Sequence, residues 1–102
     1  MKQYKVSQLE NKNQFVIEGE NERYFQSYES VVARYDKRTH KLTLGCDWDY
    51  SNTTRKHLYI FMREYCYLDS AIYSLLDNTP TKRGAIYKAI KSKLIKYNEA
   101  MR

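Results

Sequence analysis

The chain has 102 residues, 42% hydrophobic and 15% aromatic, with a formal net charge of +6. That length holds one domain, able to bury roughly 60–70% of the surface its unfolded chain exposes, and the apolar share supports a folded core rather than disorder. The longest uncharged apolar run, Leu58 to Met62, is too short to span a bilayer, and Met1 to Val6 carries no apolar stretch of a secretory signal.

The first half alternates with period two, the pattern of half-buried strands. Tyr4 and Val6 offer an edge strand, and Phe15 and Ile17 share a face of the next. Glu18-Gly19-Glu20-Asn21 then makes a turn. Arg23 to Tyr28 follows, with Tyr24, Gln26 and Tyr28 on one side and Phe25 and Ser27 on the other. Val31, Ala33 and Tyr35 alternate against Val32 and Arg34, and Asp36 to His40 turns the chain into Lys41 to Leu44, where Leu42 and Leu44 face inward. Consecutive strands with short polar turns predict an antiparallel meander of about four strands over residues 1–46.

The second half, residues 52–102, changes to helical spacing. Ser51 is the leading N-cap candidate for a helix whose Leu58, Phe61, Met62, Tyr65 and Leu68 fall on one arc. Asp69-Ser70 offers a fresh cap for a short second helix through Ile72, Leu75 and Leu76, which Pro80 ends. Thr79 or Thr81 opens a third, predicted to run to Met101 with Ile86, Tyr87, Ile90, Leu94, Tyr97 and Met101 on its apolar face. The expected fold is a single α+β domain over residues 1–102, with the meander packed against about three C-terminal helices.

Charge is unevenly spread along this frame. Residues 1–81 carry eleven Lys/Arg against eleven Asp/Glu, whereas 82–102 carry seven cations against Glu99 alone. A neutral body with a basic end suits an anionic partner. Lys82, Arg83, Lys88, Lys91, Lys93 and Lys96 are the candidate contacts with a partner or nucleic acid, since lysines neutralise phosphates and release counterions. The same run also reads as a solvated helix face. Ile95 falls in the middle of it and, with the edge strand, offers a homodimer contact. Arg55, Lys56, Tyr59 and Tyr67 make a second aromatic–basic surface, suited to stacked single-stranded bases or simply to packing against a neighbouring element.

Catalytic chemistry has little footing. Asp47 and Asp49 are two residues apart, but acids ahead of a helix N-terminus also serve its dipole. Cys46, Cys66, His40 and His57 lack the close pairs of zinc sites, so no metal or cofactor is expected. Neither cysteine has a nucleophile's surroundings. The two cysteines read as buried reduced thiols, which points to an intracellular setting and leaves their roles open. No P-loop, Gly-rich dinucleotide turn or nucleophile elbow is present, and the chain is expected not to be an enzyme.

The segments Phe25-Gln26-Ser27-Tyr28 and Trp48-Asp49-Tyr50-Ser51-Asn52-Thr53-Thr54 form an F-x-S-Y … W-D-Y-S-x-T-T pattern. Over about residues 14 to 62 the chain resembles a widespread group of small uncharacterised proteins carried by phages and mobile elements of low-GC bacteria. The pattern makes structural sense alone, with Trp48 and Tyr50 plugging the strand-to-helix corner while Ser51 caps the helix. The resemblance implies a non-enzymatic protein of the host bacterial cytoplasm, most plausibly an anti-CRISPR-like inhibitor of a nucleic-acid-processing complex. A chain of charge +6 does not mimic nucleic acid, so its partner would be a host protein or ribonucleoprotein, a CRISPR effector among them. The alternative is a stand-alone DNA- or RNA-binding accessory protein using the basic C-terminal helix.

Overall fold

Five strands in chain order begin the protein: β1 (Lys5–Gln8), β2 (Gln14–Glu18), β3 (Glu22–Ser27), β4 (Ser30–Asp36) and β5 (Lys41–Gly45). Three helices follow, α1 (Asn52–Glu64), α2 (Ser70–Asn78) and α3 (Lys82–Lys91), and a last strand, β6 (Lys96–Asn98), returns to the sheet. The computed structural model describes residues 4–9 and 13–102; the start of the Met1 to Val6 stretch lies outside the described residues.

The architecture is α+β. Short hairpins pair β1 through β5 antiparallel in sequence order, and β6 joins β5 in parallel. Register puts Val16, Phe25, Ala33 and Leu44 in one row across the sheet, each 2% exposed or less. Tyr35 and Leu42 pair beside them on the same dry face. On β2 that face belongs to Gln14 and Val16, so the pair Phe15 and Ile17 lies half-buried on the opposite side. Between β3 and β4, Phe25 pairs with Ala33 but Gln26 with Val31, which leaves Val32 as the extra residue of a bulge. The bulge breaks the expected alternation and buries both Val32 and Ala33.

The helices cover the dry face. Ser51 caps α1, its Oγ accepting from the Thr54 N–H at 3.1 Å, and Leu58, Phe61 and Met62 turn inward. The Phe61 ring stacks on Phe25 of β3 at 5.9 Å. Asp69 caps α2 and Thr81 caps α3 in the same way. The Tyr73 hydroxyl of α2 donates toward the Met62 and Cys66 carbonyls at the end of α1, closing that helix's exposed C-terminus. Trp48 is buried at the strand-to-helix corner, edge-on to Tyr87 at 5.0 Å. Tyr50, expected to share that plug, instead stands 77% exposed. Among the described residues no helix is long and apolar enough to cross a membrane.

The predicted third helix is too long. It stops at Lys91, because Ser92 turns its hydroxyl onto the Lys88 carbonyl at 2.6 Å and Lys93 adopts a left-handed φ of 63°. The N–H groups of Leu94 and Ile95 both reach back to the Ala89 carbonyl, which closes the helix end. A left-handed lysine costs roughly 1–2 kcal/mol. Ile95 offsets this by entering the core at 1% exposure, a burial worth about 1.5–3 kcal/mol, and Lys96–Asn98 pair with β5. Leu94, Tyr97 and Met101 therefore do not continue a helical face. Ile95, withdrawn into the core, offers no dimer contact.

Candidate anion-binding groove

The first turns of α1 and α3 face each other across a groove of about 620 Å³. From α1 it takes Asn52, Arg55, Lys56, Tyr59 and Ile60; from α3 and its cap it takes Thr81, Lys82 and Arg83. Both helices begin here, so their positive ends point toward the same space. Helices usually place acids in that first turn, yet neither of these does. Instead α3 opens on two cations and α1 carries two within its first five residues. Each cation near such an end is disfavoured by about 0.3–1 kcal/mol, so the arrangement is in conflict with itself and favours any anion that enters.

Aromatic rings hold the cations in place. The Lys82 ammonium sits 4.5 Å from the centre of the Tyr59 ring, and the Arg63 guanidinium lies 5.3 Å from it. Arg63 also donates to the Tyr59 hydroxyl at 3.1 Å, contacts the Tyr73 ring and ion-pairs with Asp77. With two cations already on its ring, Tyr59 serves as their support rather than as a platform for a base.

Asp49 lies beside the groove, bonded to two of its arginines. Asp49, on the corner before α1, accepts from Arg55 Nη1 at 2.6 Å, from Arg83 Nε at 2.8 Å and from the Tyr87 hydroxyl at 3.0 Å. Burial on its own would raise the Asp49 pKa, but the bonds from Arg83, Tyr87 and Arg55 outweigh that and hold it below the usual carboxylate range. Arg55 also bonds to Asn52 and to the Asp49 carbonyl. The result is a three-donor anion site whose anion comes from the chain itself.

The predicted residues thus divide. Lys82 and Arg83 of one expected surface and Arg55, Lys56 and Tyr59 of the other meet in a single groove. Lys88 and Lys91 stay exposed on α3, Lys93 sits in the turn after it, and Lys96 lies on β6. Tyr67 is 78% exposed and lies outside the groove; its backbone N–H bonds to the Tyr35 hydroxyl at 3.1 Å. Asp49, the residue that organises the site, was legible only as an acid ahead of a helix, and its two arginines are six and thirty-four positions away.

Asp47 and Asp49 do not act as a pair. Asp47 turns to a second cavity, of about 690 Å³, shared with Ser27, Tyr28, Tyr50, Ser51 and Thr54. The two segments that carry the sequence resemblance meet here. The Thr54 hydroxyl lies 3.2 Å from Ser27 Oγ and 3.1 Å from Ser51 Oγ, so the three hydroxyls satisfy one another and pin the start of α1 to the β3–β4 hairpin. Among the described residues no group of three His, Cys, Asp or Glu side chains is placed to hold a metal ion. Burial pushes the Cys66 thiol well above its ordinary pKa. His57, 2% exposed, directs Nδ1 to the Thr53 carbonyl at 2.8 Å.

Residues 3–73 match a family of unknown function, DUF8033, and the chain belongs to that family. The matched span ends within α2, so the groove joins a family-matched half, Arg55, Lys56 and Tyr59, to a half beyond it, Lys82 and Arg83. Comparison with curated proteins and with solved structures finds no match.

Proposed function

We propose that this protein is a non-enzymatic binding protein that engages the phosphate backbone of a nucleic acid through the groove between α1 and α3. The observation that carries the reading is the meeting of Arg55, Lys56, Lys82 and Arg83 at two helix starts, against the preference of both helix dipoles. Asp49 already meets Arg55 and Arg83 there, and a bound phosphate adds negative charge to the same cluster. The two lysines present charge without a base-reading fork, which suits sequence-independent contact.

An inhibitor of a nucleic-acid-processing complex, the expectation from the phage-protein resemblance, would use the same groove on a guide or target strand. The proposed setting for either role is the bacterial cytoplasm, where unpaired thiols persist. The test is binding of the purified chain to labelled single- and double-stranded DNA and RNA at about 50 and about 200 mM salt, a range over which several phosphate contacts cost orders of magnitude in affinity. The reading predicts binding at the lower salt that collapses at the higher. No binding at the lower salt contradicts it.

A further inference from the structure

Asp49 fills a three-donor anion site. Its carboxylate has three donors from two helices, Arg55 on α1 and Arg83 and Tyr87 on α3, at 2.6–3.0 Å. Its side chain is 15% exposed, but the Arg83 side chain is 57% exposed. One jaw of the clamp therefore opens directly to solvent and to the groove. Two oxygens of a tetrahedral phosphate accept from paired guanidinium N–H groups much as the two oxygens of a carboxylate do. Asp49 also sits on the short turn between β5 and α1, not on a helix or strand, so its side chain can rotate away without breaking a backbone ladder.

We infer that Arg55 and Arg83 form a phosphate-exchange site, which Asp49 occupies in the free protein and yields to a phosphate group of a bound nucleic-acid strand. The inference rests on the function proposed above and adds its mechanism. Two of the groove's four cations are masked until the ligand displaces an internal competitor. The free protein thereby avoids self-repulsion between the two arginines of its groove. Affinity is set by how readily Asp49 leaves.

The test compares the whole chain with Asp49→Asn and Asp47→Asn, using a labelled single-stranded oligonucleotide as the probe across a salt series. Both substitutions change net charge equally, but Asp47 faces the other cavity. Asp49→Asn should bind about tenfold more tightly, and the slope of log affinity against log salt should steepen by about 0.7 to 1.4 as one or two arginines are freed. Asp47→Asn should stay close to the parent. Equal gains from both substitutions would reduce the effect to net charge and overturn the exchange.

A parent protein that binds, and weakens with Arg83→Gln, but gains nothing from Asp49→Asn overturns the exchange and leaves the groove standing as the contact. Absence of binding by every variant would instead remove the functional reading beneath it. Should Asp49→Asn lose its folded circular-dichroism signal, the parent decides. The NMR resonance of the Asp49 side-chain carboxyl carbon should shift when oligonucleotide is added, and an unmoved resonance in the bound state contradicts the displacement.

Discussion

The antiparallel meander and the stretch after Pro80 teach opposite lessons about how much a local pattern can say. In β2 and β3 alternation along the chain maps onto position in space, while the bulge of β4 and the run of buried residues in β5 depart from it. After Pro80 the chain changes element twice within about twenty residues, and the lysine spacing of 88, 91 and 96 imitates a helix that has already ended. Residues 1–81 sum to zero charge; the C-terminal stretch carries the net charge and divides it between a groove and open surface. Charge by itself did not mark the site. What marks it is convergence with α1.

The sharpest way to break this contrast is Ile95→Ala. If residues 92–98 formed the solvated end of a helix, the change would be nearly neutral. With Ile95 at 1% exposure in the core, the account predicts a loss of about 2–5 kcal/mol in urea unfolding. Gly45→Ala probes the same return of the chain from the sheet side. An added Cβ would come within 2.3 Å of the Met101 carbonyl oxygen and 3.0 Å of the Val31 oxygen. Overpacking there should cost about 1–3 kcal/mol by the same measurement, with β6 and the tail displaced; an unchanged midpoint would mean the C-terminus does not dock on β5.

A smaller effect sets one carboxylate from each region side by side. Glu18 on the sheet bonds to Arg23 at 2.8 Å and to Lys37; Asp49 bonds to Arg83, Tyr87 and Arg55. Burial would raise both pKa values, but the bonds from Lys37 and Arg23 in the first case, and from Arg83, Tyr87 and Arg55 in the second, lower them. A folded pKa below the unfolded one gives stability that is present above about pH 4 and is lost as pH falls through the folded value. Thermal melts from about pH 6 down to about pH 2 should therefore show a decline that Glu18→Gln and Asp49→Asn each make shallower.

The caps Ser51 and Asp69, the inward pair Leu42 and Leu44, and the arc of α1 were legible because each depends on neighbours within a turn or a pleat. The α+β class followed from the single change of period. Three things escaped for physical reasons. The bulge at Val32 shifts register without any Gly or Pro to announce it. The ending of α3 rests on a serine hydroxyl and a left-handed lysine, residue types that also occur inside helices. The groove needed tertiary placement, since its two halves were legible only as separate surfaces and nothing in spacing brings residue 55 beside residue 83. A leftover signal was available in Ile95, an isoleucine among lysines that a solvated face would rarely hold.

We propose that nucleic acid is held in the groove and not on the dispersed lysines beyond it. Two triple variants with the same charge change decide it: Arg55→Gln/Lys82→Gln/Arg83→Gln against Lys91→Gln/Lys93→Gln/Lys96→Gln, each titrated with the same labelled oligonucleotide at about 50 mM salt. The account predicts that the groove variant loses binding by about a hundredfold or more, while the tail variant loses only the few-fold that a lower net charge imposes. Equal losses, or a larger loss in the tail variant, would contradict it.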